Sequence, residues 1–186
     1  MSLKDKEKWN NKYESGEYIT GKEPSAWLQA NAHLLAKSGK ALDIAGGEGR
    51  NSVFAASKGY EVTCLDIAEN GLRKAQALAQ EKNAKITTVL ADLDSKSLKT
   101  NEYDLVLCFN FLDRSLFSGI RQTLKSGGLL FYETFTLDYL KYSNFKKEWV
   151  LEANELLQEF SDFRILRYQE VDENSKAFAS MVAQKP

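Results

Sequence analysis

The chain has 186 residues, with 43% hydrophobic and 27% charged side chains and a net charge of −1. That composition excludes a disordered chain and describes one folded domain able to bury about two thirds of its unfolded surface. The balanced charge argues against a protein that grips a nucleic acid backbone, and two cysteines with a single histidine leave neither a disulfide framework nor a metal-ligand spacing.

Two helices are expected ahead of residue 40, one near Lys4 to Tyr13 and one from Pro24 to Lys37 with Trp27, Leu28, Leu34 and Leu35 apolar. Lys40 to Ala45 reads as a short buried strand, Arg50 to Lys58 as a helix ended by Gly59, and Tyr60 to Asp66 as a second strand. The following helix places Leu72, Ala75, Leu78 and Ala79 on one face. "KITTVL" from Lys85, rich in β-branched residues, is a third strand, and "YDLVLCF" from Tyr103 a fourth. Leu116, Phe117, Ile120 and Leu124 mark a helix closed by "KSGG" at Lys125 to Gly128, and a fifth strand starts at Leu129. A polar, aromatic segment then runs from Thr136 to Trp149. A helix around Leu156, Leu157 and Phe160 leads to two strand-like runs, Phe163 to Val171 and Ala177 to Ala183, joined by "DENSK".

Strands separated by helices must run parallel, whereas the short turn-rich link makes the last pair an antiparallel hairpin. The expected class is α/β, a doubly wound Rossmann-like sheet with helices on both faces. Cys64 and Cys108 sit in apolar runs and read as buried, inert thiols; His33 reads as a helix-surface residue. The N-terminus has no apolar leader and no stretch approaches 18 apolar residues, so a cytoplasmic protein with no membrane partner is expected, as a monomer or weak homodimer.

The chemistry concentrates in "ALDIAGGEGRNS", Ala41 to Ser52. In an open α/β sheet, ligands bind at the carboxyl ends of strands, so the loop after the first strand is the place to look. A triphosphate loop needs a lysine that is absent here. A dinucleotide fingerprint is nearly met by Gly47, Gly49 and Ser52, which keeps an NAD-dependent oxidoreductase as the alternative; such an enzyme would carry a Tyr-x-x-x-Lys pair after the fourth strand. Asp43 counts against it, because a pyrophosphate gains little from a fixed anion nearby. S-adenosylmethionine, with a cationic amino group and sulfonium and a carboxylate suited to helix N-terminal amides, meets that demand. Asp66 can accept from both ribose hydroxyls, and Asp92 in "LADLD" can accept from an exocyclic adenine amine.

The run "LDIAGGEGRNSVFAASKGYEVTCLD" resembles the first two motifs of class I S-adenosylmethionine-dependent methyltransferases. "GEGRNS" with "GYEVTCLD", and the N-terminal "WNNKYESGEYITGKEPSAWL", are similar to the small tellurite-resistance and thiopurine-methyltransferase-like branch. The resemblance continues through "YDLVLCFNFLD", "LKSGGLLFYETF" and "FASMVAQKP". It implies a seven-stranded sheet in the order 3-2-1-4-5-7-6 with strand 7 antiparallel, residues 1–39 as a helical lid and 40–186 as the S-adenosylmethionine-binding methyltransferase domain. It implies further that Asp43 and the backbone of Ala45, Gly47 and Gly49 border the methionine moiety, that Asp66 binds the ribose, that Ile67 packs on adenine, and that Asp92 with Leu93 meets the adenine edge. Phe109 and Asn110 would lie beside the transferable methyl, and Arg50 would either pair with the cofactor carboxylate or hold the N-terminal helix.

The expected function is methyl transfer from S-adenosyl-L-methionine to a small-molecule acceptor by in-line displacement, giving S-adenosyl-L-homocysteine. A catalytically silent cofactor-binding regulator is a further alternative. Trp9, Tyr13, Tyr18 and Trp27 are candidates for a lid over an aromatic acceptor pocket that includes Phe111 and Tyr132, with Glu133 or Asp113 as a base if one is used. Asn110-Phe111 lacks the two prolines of amino-methylating nucleic acid enzymes, so no nucleic acid partner is expected. Tyr168 to Asn174 carries no histidine or arginine, where a tellurite-type enzyme would place polar catalytic residues.

Overall fold

The computed structural model describes residues 3–93 and 98–186. Seven strands form a sheet in the order β3-β2-β1-β4-β5-β7-β6, with β1 Gly39–Ile44, β2 Tyr60–Asp66, β3 Ile86–Leu90, β4 Tyr103–Phe109, β5 Leu124–Phe135, β6 Arg164–Glu173 and β7 Lys176–Gln184. β1 with β2, β2 with β3 and β4 with β5 pair in parallel, while β7 runs antiparallel to both β5 and β6. The helices are α1 Leu3–Lys12, α2 Ala26–Ala30, α3 Arg50–Ser57, α4 Glu69–Glu81, α5 Phe117–Thr123 and α6 Glu155–Glu159. The chain divides into two compact units, Met1–Leu98 and Lys99–Pro186.

In the first unit β1 is buried from Ala41 to Ile44, an apolar run suited to a strand covered on both faces, with Asp43 its one carboxylate. α4 buries Gly71, Leu72, Ala75, Leu78 and Ala79, the spacing of one helical face. Leu78 and Ala79 pack with Val53 of α3, and Leu72 and Ala75 with Cys64 of β2. The helix expected over Pro24 to Lys37 is shorter than that: α2 ends at Ala30 and a 3₁₀ turn, Ala32–Leu34, follows. Asn31 is the reason. Its side chain donates to the Trp27 carbonyl at 2.9 Å, offering the helix end a local partner in place of another helical turn.

In the second unit Tyr132, Phe117 and Phe160 form the aromatic centre of the core, with edge-to-face and tilted ring contacts. "KSGG" is not the helix stop the sequence suggests. α5 ends at Thr123, and Leu124 already pairs with Tyr103, so β5 runs through Gly127 and Gly128. The carbonyls at the end of α5 are met instead by Lys185, whose Nζ donates to Arg121 O at 2.7 Å and Leu124 O at 2.6 Å. Within "DENSK" the strands continue to Glu173 and resume at Lys176. Asn174 and Ser175, with φ of 54° and 59°, make the two-residue turn whose twist suits a hairpin. The aromatic segment after β5 is closed at its base, where Leu151 N–H donates to Phe135 O and Leu137 N–H to Leu151 O, each at 2.9 Å. Arg114 secures it with a two-pronged bond to Glu155 and donations to the carbonyls of Glu148 and Val150.

Candidate cofactor site

The loop after β1 turns sharply: Ala45, Gly47 and Gly49 all have positive φ, 53°, 53° and 81°. Gly49 is fixed twice over, since a methyl there would lie 2.5 Å from Ala75 Cβ. Gly46 lets the loop close onto β2, because a methyl on it would lie 2.6 Å from Cys64 Sγ. Gly49 also precedes α3 without a side-chain cap, leaving the helix start to present backbone amides.

Two carboxylates shape this loop. Asp66, the last residue of β2, accepts from Gly47 N–H with one oxygen and from Ala68 N–H with the other, both at 2.8 Å. An ionised carboxyl has about four lone-pair sites, so it can hold the loop and still accept from a ribose diol. Burial raises its pKa despite the amide bonds that lower it. Asp43, 1% exposed, accepts from Ser52 Oγ at 2.6 Å. Burial pushes its pKa from 3.8 to about 7, against the Ser52 hydrogen bond and with the negative charge of Asp66 adding to the rise. Buried acids behind a loop without a lysine fit a cation-bearing ligand and not a polyphosphate. Ile67 and Leu93 are buried apolar side chains near the ends of β2 and β3, and Asp92, two residues past β3, is half-buried.

The N-terminal candidates separate. Tyr13 is buried with Trp9 stacked on it at 5.6 Å, and its ring reaches the glycine loop: a methyl on Gly47 would lie 2.7 Å from the Tyr13 hydroxyl. Tyr18 packs on the Val53, Leu78 and Ala79 cluster and donates to Lys74 O at 3.0 Å, which anchors it to α3 and α4. Trp27 is half-buried, and its indole N–H has no partner among the described residues. Arg50 Nη1 donates to Thr20 O at 2.9 Å, which ties the start of α3 to the N-terminal segment.

Several further residues shape the site without having been singled out in the sequence. Glu48, 2% exposed inside the glycine loop, pairs with Lys74 at 2.8 Å and accepts from Thr20 N–H at 3.4 Å. Asn51 accepts from Ser25 N–H at 2.8 Å. Asn10 accepts from Asn70 N–H at 3.0 Å, supplying α4 with the cap that Ala68 cannot provide, an interaction worth about 1 kcal/mol. An acid within a tight glycine loop was the one signal available, since such a charge needs an internal cation.

In the second unit Phe109 ends β4 and Asn110 follows it. Phe109 is buried, whereas Asn110 is exposed, has φ of 55° and donates its N–H to Glu133 O at 2.8 Å. Tyr132 lies in the core at 1% exposure and donates to Phe111 O at 3.1 Å, so it supports Phe111 and does not line a surface pocket. Glu133 accepts from Ser180 Oγ at 2.7 Å. Asp113 is engaged as a cap, accepting from Ser115 N–H at 2.9 Å and Ser115 Oγ at 2.7 Å. A Tyr-x-x-x-Lys spacing does occur after β4, at Tyr142 and Lys146. Tyr142 donates to Asp172, while Lys146 lies over Trp149, so the two do not form a working pair. Among the described residues no cluster of metal-ligating side chains occurs and no helix is long and apolar enough to cross a membrane.

The strand order, the antiparallel seventh strand and the acids at successive strand ends together define the fold of class I S-adenosylmethionine-dependent methyltransferases. Residues 1–178 match the family described as Tellurite resistance protein TehB, and the chain belongs to that family. It is 30% identical over 169 residues to a probable S-adenosyl-L-methionine-dependent methyltransferase TehB of Haemophilus influenzae, covering 78% of this chain and 57% of that protein. The chain therefore spans little more than half the length of that curated relative. The crystal structure of TehB from Haemophilus influenzae superposes with a TM-score of 0.72 at 24% identity over 97% of this chain and 67% of that one. Magnesium protoporphyrin IX methyltransferase from Synechocystis, solved with bound SAM, gives 0.63 at 22% identity over 87% of this chain and 76% of that one.

Proposed function

We propose that this chain is an S-adenosylmethionine-dependent methyltransferase that transfers a methyl group to a small-molecule acceptor by in-line displacement. The observation that carries this reading is the glycine loop backed by two buried carboxylates, Asp43 and Asp66, with no lysine in the loop itself. The cofactor supplies an electrophilic methyl on a sulfonium. The chain's own residues bind and orient it. Asp66 receives the ribose hydroxyls through its remaining lone pairs, and the amides of Ala45, Gly47 and Gly49 border the methionine portion. Ile67 and Leu93 provide apolar flanks for adenine, with Asp92 as acceptor for its amine. Asp43, poised near neutrality, ionises in favour of an arriving cation and releases its proton to solvent.

We assign the acceptor side to the carboxyl ends of β4 and β5, where the half-buried Phe111 and the exposed Asn110 follow the buried Phe109, with Glu133 as a candidate base. Displacement at a methyl needs alignment more than proton transfer, which suits so plain a set of side chains. We assign residues 1–39 as the N-terminal lid segment and 40–186 as the methyltransferase domain; the hydrogen bonds of Glu48, Arg50 and Asn51 to residues 20 and 25 hold the middle of that segment to the glycine loop and α3. The test is transfer of tritium from methyl-labelled S-adenosylmethionine to a panel of thiols, phenols, amines and chalcogen oxyanions. Turnover of at least one class is expected; saturable cofactor binding with no turnover on any class would replace the reading with that of a silent binding protein.

A further inference from the structure

Asp66 is 5% exposed, yet a ribose has to reach its carboxylate. Tyr13 is part of what covers it. A methyl built on Gly47 would lie 2.7 Å from the Tyr13 hydroxyl and 4.0 Å from Asp66 Oδ2, so phenol and carboxylate converge on one small space in front of the loop. The ring extends over Gly71 as well, where a methyl would lie 3.0 Å from Tyr13 Cδ2 and 3.2 Å from the Gly47 carbonyl carbon. Trp9, one helical turn back, stacks on the ring and stiffens it.

The two sides of Tyr13 are fastened differently. Behind it, residues 17–25 are bolted to the glycine loop and its helices: Lys74 Nζ donates to Glu17 O, Thr20 N–H to Glu48, Arg50 to Thr20 O, and Ser25 N–H to Asn51. Ahead of it, α1 is joined to α4 by Asn10 and Asn70, through two mutual hydrogen bonds of 3.0 Å. Between the two lie Glu14, Ser15 and Gly16, all exposed, and a methyl on Gly16 would meet nothing within 4 Å. That stretch is free to turn without breaking a packed contact.

We infer that α1 is a gate on the nucleoside corner of the site: Tyr13 fills the space in front of Asp66, and α1 turns away about residues 14–16, releasing the Asn10–Asn70 join, to admit the cofactor. The inference rests on the cofactor reading above and assigns Tyr13 to the nucleoside side, not to the acceptor pocket. Glu48, Lys74 and Arg50, which hold residues 17 and 20, become the fixed post of the hinge.

The test joins the gate shut. In the full chain carrying Asn10→Cys and Asn70→Cys, S-adenosylhomocysteine binding is measured before and after oxidation, with the unsubstituted chain treated identically. The reduced variant should bind, and the oxidised variant should bind at least about tenfold more weakly or more slowly, since apparent affinity scales with the open fraction. The unsubstituted chain, whose Cys64 and Cys108 are buried, should not change. Equal binding by the oxidised and reduced variant overturns the gate and leaves the cofactor reading standing; no binding even by the unsubstituted chain removes the cofactor reading itself. Tyr13→Ala gives an independent check without a cross-link. Its association rate should rise several-fold in stopped flow, and an unchanged or slower rate contradicts the gate.

Discussion

Replacing Asp66 tests how the loop is held. Its two oxygens each accept a backbone N–H at 2.8 Å, from Gly47 and Ala68. In Asp66→Ala both donors lose their partner in a buried corner, at about 1 to 3 kcal/mol each, for about 2 to 6 kcal/mol in all. The low end is expected, because the raised pKa of Asp66 says that burying the charge already costs more than the amides return. Asp66→Asn keeps one acceptor and should lose about half as much. Urea denaturation of the three proteins reads these differences against a total stability of about 5 to 15 kcal/mol. Cofactor affinity should fall further than stability does in the asparagine variant, by about 1 to 3 kcal/mol, since its amide cannot accept from both ribose hydroxyls. An alanine variant as stable as the parent would refute the claim that Asp66 fixes the loop.

Three other perturbations discriminate. Asp43 has its pKa raised from 3.8 to about 7 in the fold, so the native chain holds a proton that the unfolded chain has lost. Stability should therefore decline as pH climbs from about 4 to about 7, by no more than about 4 kcal/mol from this group, and Asp43→Asn should flatten that slope in thermal melts taken across the range. Because a cation favours ionised Asp43, S-adenosylhomocysteine affinity should weaken below pH 7 in the parent and lose that dependence in Asp43→Asn. Gly49→Ala, which adds a methyl 2.5 Å from Ala75 Cβ at a φ of 81°, should cost about 2 to 4 kcal/mol by chemical denaturation. Glu48→Ala leaves Lys74 half-stranded and should cost about 3 kcal/mol, with amide hydrogen exchange rising over residues 17–25; unchanged exchange there would detach Glu48 from the N-terminal segment.

The sheet was readable in the sequence because its strands are short apolar runs separated by helices with a clear period, as in Tyr60 to Asp66 and Leu72 to Ala79. Boundaries failed where a distant side chain, not the local chain, ends an element. "KSGG" resembles a helix stop, but Lys185 from the C-terminus caps α5 and lets β5 begin at Leu124, five residues before the expected Leu129. Asn31 shortened α2 through a bond that composition alone does not announce. At the site, the acids were visible because a carboxylate inside an apolar strand is chemically conspicuous, as Asp43 is. Lys74, Asn10 and Asn70 were not, since each looks like an ordinary surface residue until the fold brings its partner from 26 or 60 positions away; Glu48 offered only its place inside a tight glycine loop. Residue type alone does not separate Tyr132, buried in the core of the second unit, from Tyr18, which packs on α3 and α4.

Isothermal titration with S-adenosylhomocysteine bears most directly on the account. The parent chain should give a saturable heat with one site per chain, reduced in Asp66→Asn and pH-dependent through Asp43. No heat from a folded parent at high protein concentration would contradict it.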